Sequence, residues 1–444
     1  GVDFKADWQG GDFAGLLDKI ESGYFDDLGV NAIWISSVSE NTQGVGAGSD
    51  GRLYSGYHSY WPISTGWQDD NPLSGVTPVD PHFGDLDQFK QLVQAAHARG
   101  IRVLVDFVAN HVHSDSPLWQ QHQYAGWFHD DPIYVCGWDQ PISCWFADYL
   151  PDFEYKNLDV LNTVVEHAVW LIQETDIDGF RLDAVKHMIH DFSYALRGRI
   201  EESVTTTGLR FYMVGETFTG EDGAGMIAEY VRPEELDGQF DFPLYWQITK
   251  TFLREEQDFR GLEGFMQQNE NYYGSWAVMS NFLGNHDVCR ALSHAAGQIS
   301  DMWGNGSKEQ GWNNPPVLPT DETPYKKLRM AWSFMLSIPG IPLIYYGDEF
   351  GMEGAGDPDN RKLMRFDTEL IAHQQNTLSQ VQRLAAARHA HAAMRIGSRS
   401  QLYMEADGSI WAFGLVAGAD KVVVVFNRRA SAETRSIPVS SLGL

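Results

Sequence analysis

Hydrophobic and polar positions follow two alternating patterns along the first 350 residues. Short runs rich in β-branched, leucine and aromatic residues predict buried strands. Between them, segments such as 85–99 and 158–172 place apolar residues at i, i+3 and i+4, which predicts amphipathic helices. The predicted strands are 32–36, 101–108, 179–185, 211–216, 240–246, 277–283 and 341–346.

Strands that alternate with helices imply βαβ units and a parallel sheet. Seven such strands fit a (β/α)8 TIM barrel better than an open sheet, and we assign 1–111 and 156–392 to that barrel. Residues 1–8 are too short and polar a segment to supply an eighth strand. We therefore expect the first barrel strand to be absent from this sequence.

Two segments depart from the α/β rhythm. Residues 112–155, rich in Trp, His, Pro and Asp, follow the strand 101–108 and predict a subdomain inserted after the third barrel strand. Residues 393–444 carry short strands separated by turns, which predict a C-terminal antiparallel β domain. We expect this β domain to be incomplete.

Composition narrows the possible partners. The 60 acidic and 32 basic residues give a net charge of −28, which disfavours nucleic acid and anionic membranes as partners. No apolar run is long enough to span a bilayer. The 15 Trp and 18 Tyr residues can serve the core or stack on sugar rings, and composition does not separate these uses. A monomer is the expected state.

The three cysteines predict one disulfide. Cys136 and Cys144 lie eight residues apart in a loop-like stretch, so a bridge between them is feasible and would imply an oxidising compartment. Cys289 lies in a predicted core segment and is expected to be a buried free thiol. The chain begins without Met or a signal peptide, and we expect the mature form of a secreted, extracellular or periplasmic, protein.

Polar side chains gather at the C-terminal ends of four predicted strands. In a barrel these ends converge on the face where active sites are built. Helix capping explains a single aspartate at such a place, but not four strands that all end in carboxylate, histidine or arginine. The residues are Asp106, Asn110, His111, Arg181, Asp183, Glu216, His286 and Asp287.

Several motifs resemble those of a known family. DFVANH (106–111), GFRLDAVKH (179–187), GET (215–217) and FLGNHD (282–287) resemble, in order, the four signature regions of the α-amylase family of glycoside hydrolases. The segments LPDF (150–153), GVNAIWI (29–35) and GIPLIYYGDE (340–349) are similar to its accessory and flanking motifs. The resemblance covers essentially the whole chain.

This resemblance implies a retaining glycosidase with two carboxyl groups about 5–5.5 Å apart. Asp183 matches the nucleophile, Glu216 the general acid and base, and Asp287 the third carboxylate, which favours the distorted sugar. Arg181, two residues before Asp183 on one strand face, would keep it ionised. Glu216 has to be protonated at the working pH, so we expect its pKa to be raised.

The resemblance also implies residues that bind the α-glucan substrate. Tyr57 looks like the tyrosine that stacks on the reacting sugar, although a core aromatic is the alternative. The histidines that match ligands of the same sugar are His111 and His286. On the leaving-group side the matching pair is Lys186 and His187, and on the opposite side it is Asp357 and Arg361.

A calcium ion is the implied cofactor. Family members bind Ca2+ between barrel and insertion through residues that correspond here to Asn110, Asp152 and the backbone carbonyl of His187. Oxygen ligands without thiolate suit this ion. A further carbonyl ligand is expected near residue 142, and a capped loop without metal is the alternative.

Three functions fit these motifs to different degrees. The LPD and VKH segments are typical of endo-acting α-amylases, which cleave internal α-1,4 bonds of starch-like glucans. DAVKHM and YYGDEFGMEGAGDPDNRK also resemble segments of cyclodextrin-forming transglycosidases. Non-catalytic, glycan-binding relatives lose catalytic carboxylates, whereas Asp183, Glu216 and Asp287 are all present here.

Overall fold

The computed structural model describes residues 4–48, 50–64, 77–130, 141–204 and 208–443. The strands are β1 (Ala32–Ile35), β2 (Gly46–Ala47), β3 (Leu53–Tyr54), β4 (Arg102–Phe107), β5 (Gly179–Leu182), β6 (Tyr212–Gly215), β7 (Gly238–Gln239), β8 (Ser280–Phe282), β9 (Ile341–Leu343), β10 (Ser398–Met404), β11 (Ile410–Ala417) and β12 (Asp420–Asn427). The helices are α1 (Phe13–Glu21), α2 (Tyr24–Leu28), α3 (Leu86–Ala98), α4 (Pro117–His122), α5 (Leu158–Thr175), α6 (His190–Ser203), α7 (Ala224–Tyr230), α8 (Phe242–Ile248), α9 (Phe259–Asn269), α10 (Ala291–Ala295), α11 (Gly304–Asn313), α12 (Thr323–Ser337), α13 (Ala372–Ala390) and α14 (Ala392–Ile396). In the part of the chain described, no helix is both long and apolar enough to cross a membrane.

The chain divides into two compact units. The first unit comprises Gly1–Phe218 and Met226–Gln239, and the second comprises Thr219–Gly225 and Phe240–Leu444. This division follows contacts within each unit. The boundaries 1–111, 112–155, 156–392 and 393–444 drawn from the sequence stay predictions.

The first unit is built on a parallel sheet with the order β1-β4-β5-β6-β7. β4 and β5 read as nearly continuous apolar runs because both faces of a parallel sheet are covered. The register places Asp106 of β4 opposite Arg181 of β5, and Leu182 opposite Gly215 of β6. Four predicted strands are therefore confirmed here as β1, β4, β5 and β6.

The helices of the first unit cover this sheet with their apolar stripes. α3 begins at a capping box in which the Asp85 carboxylate accepts from the Gln88 N–H, and Phe89, Leu92 and Val93 are buried. α5 begins at Asn157, whose side chain accepts from the Asp159 N–H. Both helices coincide with the amphipathic patterns read from the sequence.

The second unit contains the parallel pair β8 and β9 and the antiparallel sheet β10-β11-β12. A two-residue turn joins β11 to β12, and Gly418 supplies its positive φ of 60°. The sheet packs through Trp411 and Phe426 against Phe252 and Phe334. An antiparallel β region at the C-terminal end is confirmed.

The strand predicted at 240–246 is wrong, because α8 begins at Phe242. The Asp241 carboxylate accepts from the Leu244 N–H at 3.0 Å, and Pro243 lies in the first turn, where its missing N–H costs nothing. The aromatic run FDFPLYW resembles a strand in composition, but its cap and proline are helix-start signals. Before this helix, Gly238–Gln239 pairs with β6 as a strand, and Phe240 makes an isolated bridge to Ser280.

The inserted segment is anchored to the end of β4. Backbone bridges join His111 to Asp152 and Phe128 to Phe153. Cys136 lies outside the described residues, so its bond with Cys144 stays a prediction. Cys289 is a buried free cysteine, as expected, and burial raises the pKa of its thiol to about 12.

His294 on α10 predicts acid sensitivity of the second unit. Burial, assisted by the positive charge of Arg254, lowers its pKa to about 3. Between pH 6.5 and 3 the unfolded chain takes up a proton that the folded chain does not, so stability falls as pH falls. At pH 5 this costs about 2 kcal/mol. Between pH 7 and 5 the free energy of unfolding should therefore fall by about 2 kcal/mol less in His294→Gln than in the wild type.

Denaturant titrations at several pH values measure this slope. His389→Gln removes an exposed histidine of α13 and serves as the control. Equal slopes in wild type and His294→Gln would show that His294 titrates normally in the folded protein.

Candidate active site

A buried arginine organises the carboxylates of the first unit. Arg181 on β5 is 1% exposed, and its Nη1 donates to Asp183 Oδ1 at 2.6 Å and to Asp106 Oδ1 at 3.0 Å. Its Nη2 lies 3.9 Å from Glu216 Oε2. Burial alone would lower the pKa of Arg181, but the surrounding negative charges raise it well above its usual value. One permanent cation thus faces three carboxylates.

Backbone hydrogen bonds beyond the strand ends fix Asp183 and Glu216. The Asp183 N–H donates to the Phe107 carbonyl at 3.2 Å, and the Glu216 N–H donates to the Leu182 carbonyl at 2.9 Å. The Val185 N–H in turn donates to the Glu216 carbonyl at 2.9 Å. The ladder of β4, β5 and β6 therefore holds both carboxylates at its carboxyl end, where barrel enzymes carry catalytic residues.

The backbone is strained directly after Asp183. Ala184 has a φ of 50°, a left-handed conformation that a residue with a Cβ rarely adopts. Its N–H donates to Glu216 Oε2 at 3.3 Å. The strain is thus coupled to a contact between the segments that carry Asp183 and Glu216.

Gly215 permits close packing before Glu216. A Cβ at this position would lie 2.5 Å from Leu236 Cδ1 and 2.9 Å from Val185 Cγ2. A side chain would displace the strand end and the carboxylate that follows it. The glycine in the GET segment is explained by this lack of space.

Asp106, which the sequence placed at a strand end without a specific role, and Tyr60, which the sequence did not single out, both contact Arg181. The Tyr60 hydroxyl donates to Asp106 Oδ2 at 2.6 Å, and Arg181 Nη1 lies 3.3 Å from that hydroxyl. The rings of Trp34 and Tyr60 lie 5.3 and 5.8 Å from the guanidinium carbon. The available sequence signal was Asp106 itself, which opens a signature motif at a strand end.

His111 lies in the same unit and is buried. Its Nε2–H donates to the Tyr60 carbonyl at 3.0 Å, because a carbonyl only accepts. Burial lowers its pKa, against the opposing effects of the Tyr60 carbonyl and Asp183. Tyr57 lies nearby in sequence, half-buried, with its ring edge-on to His58 at 5.0 Å.

Lys186 and His187 lie on the turn after Asp183. Lys186 Nζ donates to the Phe218 carbonyl at 2.7 Å. Burial lowers the pKa of Lys186, and the negative charge of Glu216 opposes this effect. His187 Nδ1–H donates to the Pro141 carbonyl at 2.8 Å, and burial lowers its pKa to about 4. The turn is thereby tied to the inserted segment.

The predicted calcium ligands include two buried oxygen atoms without partners. Asn110 Oδ1 and Asp152 Oδ1 accept no hydrogen bond from any residue that the structure describes. Burial raises the pKa of Asp152 to about 7, opposed by His129, whose Nδ1 lies 2.6 Å from Oδ2, and by the Asn110 amide. No group of three or more His, Cys, Asp or Glu side chains in the described ranges could hold a metal. The predicted calcium ligands differ from such a group, because they comprise an Asn oxygen, one carboxylate and a backbone carbonyl. This donor set suits calcium.

The second unit holds the other predicted residues. His286 Nε2 lies 3.0 Å from Asp287 Oδ2, and Arg361 Nε lies 2.5 Å from Asp357 Oδ1. Asn360, which sequence reasoning missed, joins the two pairs: its Nδ2 donates to the carbonyls of His286 at 2.8 Å and of Val288 at 2.9 Å. Each unit therefore gathers its own share of the predicted site.

Comparisons of the chain with a family model and with known proteins agree on one family. A family model described as alpha amylase, catalytic domain, matches residues 3–387. The chain is 29% identical over 439 residues to a beta/alpha-amylase of Paenibacillus polymyxa, covering 97% of this chain and 31% of that protein. It is 28% identical over 440 residues to a cyclomaltodextrin glucanotransferase of Geobacillus stearothermophilus, covering 95% of this chain and 55% of that protein. The chain thus spans about half or less of the length of these relatives.

Solved structures show the same fold. The α-amylase of Geobacillus thermoleovorans, solved with acarbose, superposes with a TM-score of 0.76 at 27% identity, covering 96% of this chain and 82% of that one. An Anoxybacillus α-amylase gives 0.77 at 28% identity, covering 96% and 81%. The predicted (β/α)8 barrel class is confirmed by these neighbours and by the parallel sheet of the first unit.

Proposed function

Because the chain belongs to the α-amylase family of glycoside hydrolases, we propose that it cleaves internal α-1,4-glucosidic bonds of starch-like glucans with retention of anomeric configuration. The observation that carries the proposal is the Arg181 guanidinium, which contacts Asp183 and lies beside Glu216. A retaining glycosidase needs two carboxyl groups, and Asp183 and Glu216 lie at the ends of neighbouring strands. The α-glucan is the proposed substrate partner.

In this mechanism Asp183 attacks the anomeric carbon. Arg181 Nη1 donates to Asp183 Oδ1, which leaves Oδ2 as the attacking oxygen. The glycosidic C–O bond breaks as the bond to Asp183 forms, and Glu216 transfers its proton to the leaving oxygen. Glu216 then removes a proton from water, which attacks the same carbon and releases Asp183.

The remaining residues are assigned to substrate binding. Asp287 and His286 would bind hydroxyls of the reacting sugar and favour its distorted form, together with Tyr57 and His111. His286 and His111 are buried and Tyr57 is half-buried, which limits the rotamers of these three side chains, so less entropy is lost when a sugar binds. The sugar on the far side would be held by the Asp357–Arg361 pair.

A transglycosidase is the second candidate. It is favoured by the similarity of the chain to cyclomaltodextrin glucanotransferases and by the DAVKHM segment at Lys186. The two reactions share the first step and differ in whether water or a sugar hydroxyl takes the glucan from Asp183.

Product chromatography over time separates the candidates. From soluble starch we expect an early mixture of linear oligosaccharides with a rapid loss of long chains. Cyclic products as the main fraction would establish the transglycosidase, whereas release of a single short sugar from chain ends would contradict endo-cleavage. Polarimetry of fresh products should show the α-anomer, and a β-anomer would contradict retention.

We also propose one calcium ion, held by Asn110, Asp152 and the His187 carbonyl. The unpartnered Asn110 and Asp152 oxygens fit such an ion, which would satisfy both and compensate the buried carboxylate. The ion would fasten the inserted segment to the end of β4. Within this proposal it contributes stability and no chemical step.

Removal of calcium is expected to lower the thermal midpoint by several degrees. A ligand present at 100 times its Kd stabilises the folded state by about 2.7 kcal/mol, and chelation removes that contribution. Scanning calorimetry with and without chelator measures the shift, and titration calorimetry of stripped protein measures binding itself.

Asp152→Asn should abolish both calcium binding and the chelator shift. Asp148→Asn, an exposed carboxylate of the same inserted segment, is the matched control and should retain them. Unchanged midpoints with and without chelator, and no heat of calcium binding, would refute the site.

Export to an oxidising compartment is proposed from the sequence of the inserted loop. Cys136 and Cys144 would be bridged there, and Cys289 would stay reduced in its buried position. Thiol counting on the unfolded, unreduced protein tests the bridge: one free thiol supports it, and three exclude it.

A further inference from the structure

Two buried asparagines of the second unit hold the backbone around Asp287. Asn285 lies just before it in the chain, and its Oδ1 accepts from the Asp287 N–H at 2.8 Å. Asn360 comes from a distant part of the second unit, and its Nδ2 donates to the carbonyls of His286 at 2.8 Å and of Val288 at 2.9 Å. The peptide groups on both sides of Asp287 are therefore fixed by side-chain hydrogen bonds.

The amide of Asn360 suits two acceptors at once. An amide nitrogen carries two N–H donors, and here they meet the carbonyls of residues 286 and 288. Asn360 is fully buried, so both hydrogen bonds lie away from water, where they are stronger. Within 281–290, a range that the structure describes in full, Asp287 alone is exposed. The loop is thus held rigid while its one exposed carboxylate can reach a ligand.

A buried arginine fixes Asn360 in turn. Arg290 Nε donates to the Asn360 carbonyl at 2.8 Å. Its Nη1 donates to the Tyr346 carbonyl at 2.6 Å and to Asp348 Oδ1 at 3.0 Å. The guanidinium also lies over the Tyr345 ring, 4.0 Å from the centroid. Arg290 ends the loop that carries Asp287, so this loop and the segment 345–360 hold each other in place.

Two glycines allow the loop and that segment to approach closely. A Cβ at Gly284 would lie 2.3 Å from Asp348 Oδ2, and a Cβ at Gly354 would lie 2.8 Å from Asn360 Cα. A side chain at either position would displace Asp348 or Asn360. The glycine of the FLGNHD motif is explained by the carboxylate that it faces.

Asn360 also stands next to Arg361 in the chain. Arg361 pairs with Asp357, and the Arg361 N–H donates to the Pro358 carbonyl at 3.1 Å. The Ala355 N–H donates to Asp359 Oδ2 at 2.9 Å, which fixes the turn that carries these residues. The side chain of Asn360 therefore connects this turn with the loop of residues 286–288.

We propose that Asn360 is a positioning residue for Asp287: its amide holds the backbone on either side of that carboxylate. This inference rests on the function proposed above, in which Asp287 favours the distorted form of the reacting sugar. A displacement of about 1 Å can cost on the order of 100-fold in rate. Because the distorted sugar resembles the transition state, loss of the Asn360 donors lowers kcat more than it raises KM.

Replacing Asn360 with Ala tests this role without adding bulk. On maltoheptaose we expect kcat to fall roughly 10- to 100-fold, with KM changed by less than about threefold. Asn281→Ala is the matched control, because Asn281 is a buried asparagine of β8 whose Nδ2 donates to the Pro339 carbonyl at 2.8 Å. The control should lower the thermal midpoint to a similar extent and keep kcat within about twofold of the wild-type value.

A double-mutant cycle shows whether Asn360 acts through Asp287. Asp287→Asn alone should lower kcat more than Asn360→Ala does. In the Asp287→Asn background, Asn360→Ala should lower kcat by less than about twofold further, because the carboxylate that Asn360 positions is already absent. A purely structural role would give the same factor in both backgrounds.

Asn360→Asp separates the loss of the donors from the loss of volume. It keeps the size of the side chain but offers acceptor oxygens to two carbonyl groups, so kcat should fall at least as far as in Asn360→Ala. Circular dichroism and calorimetry show which variants fold. If Asn360→Ala does not fold, Asn360→Asp takes its place in the double-mutant cycle.

The outcomes are distinct. Wild-type kcat in a folded Asn360 variant, or equal factors in both backgrounds, overturns the positioning role. A rise of KM without a fall of kcat also overturns it, since the effect would then lie in ground-state binding. If Asp287→Asn keeps wild-type kcat, the roles of Asp287 and Asn360 are both wrong. If the wild type does not cleave maltoheptaose, the proposed function itself is wrong.

Discussion

Replacing Asp183 with Asn should lower kcat on soluble starch by about four to six powers of ten. An amide cannot attack the anomeric carbon as a carboxylate does, and no covalent intermediate would form. Stopped assays with reducing-sugar detection measure the residual rate, and calorimetry with maltoheptaose measures binding. We expect the Kd of the variant for maltoheptaose to lie within a few-fold of the Kd of the wild type for a slowly cleaved analogue.

The structure indicates that Asp183→Asn folds. Arg181 keeps its ion pair with Asp106 at 3.0 Å, so the buried guanidinium does not lose its last counter-charge. Asp191→Asn removes an exposed carboxylate in the first turn of α6 and is the matched control. Retention of more than about a tenth of wild-type activity would be incompatible with Asp183 as nucleophile.

Glu216→Gln should lower kcat/KM on starch by about two to four powers of ten. A glutamine cannot protonate the leaving oxygen or activate water. With α-maltosyl fluoride the first step needs no acid, because fluoride is a good leaving group. The glycosyl-enzyme should therefore form and persist, and mass spectrometry of the digested protein should locate the sugar on Asp183.

Azide gives an independent readout of the same variant. As an anion it attacks without a general base, so it should accelerate breakdown of the intermediate and yield an α-glycosyl azide. Glu202→Gln, an exposed residue at the end of α6, controls for loss of one carboxylate. Equal losses on starch and fluoride, or an adduct on a residue other than Asp183, would remove Glu216 from its role.

The two predictions depend on one arrangement. Arg181 contacts the two carboxylates unequally: it lies 2.6 Å from Asp183 and 3.9 Å from Glu216. The guanidinium charge therefore interacts more strongly with the Asp183 carboxylate than with the Glu216 carboxylate. Glu216 instead receives the Ala184 N–H at 3.3 Å. Asp183 and Glu216, the proposed nucleophile and the proposed acid, thus have different surroundings at the ends of neighbouring strands.

Local sequence was sufficient for much of this protein. The apolar runs of β1, β4, β5 and β6 and the periodic faces of α3 and α5 were predicted correctly, because burial of such stripes dominates the choice of element. The two-residue spacing of Arg181 and Asp183 places them on one strand face, which predicted their contact. The failure at 240–246 came from weighing aromatic content above the Asp241 cap and Pro243.

What the sequence determined, then, is the set of elements, the order of the motifs and the pairing of residues close in the chain. Tertiary structure alone decided that Tyr60 and Asp106 contact Arg181, across separations of 121 and 75 residues. The reason is that strand register and burial are collective properties: Asp106 faces Arg181 only when β4 and β5 pair in this register. The same packing removes water from Asn110 and Asp152 and forces Ala184 into a left-handed conformation, and no local pattern encodes either result.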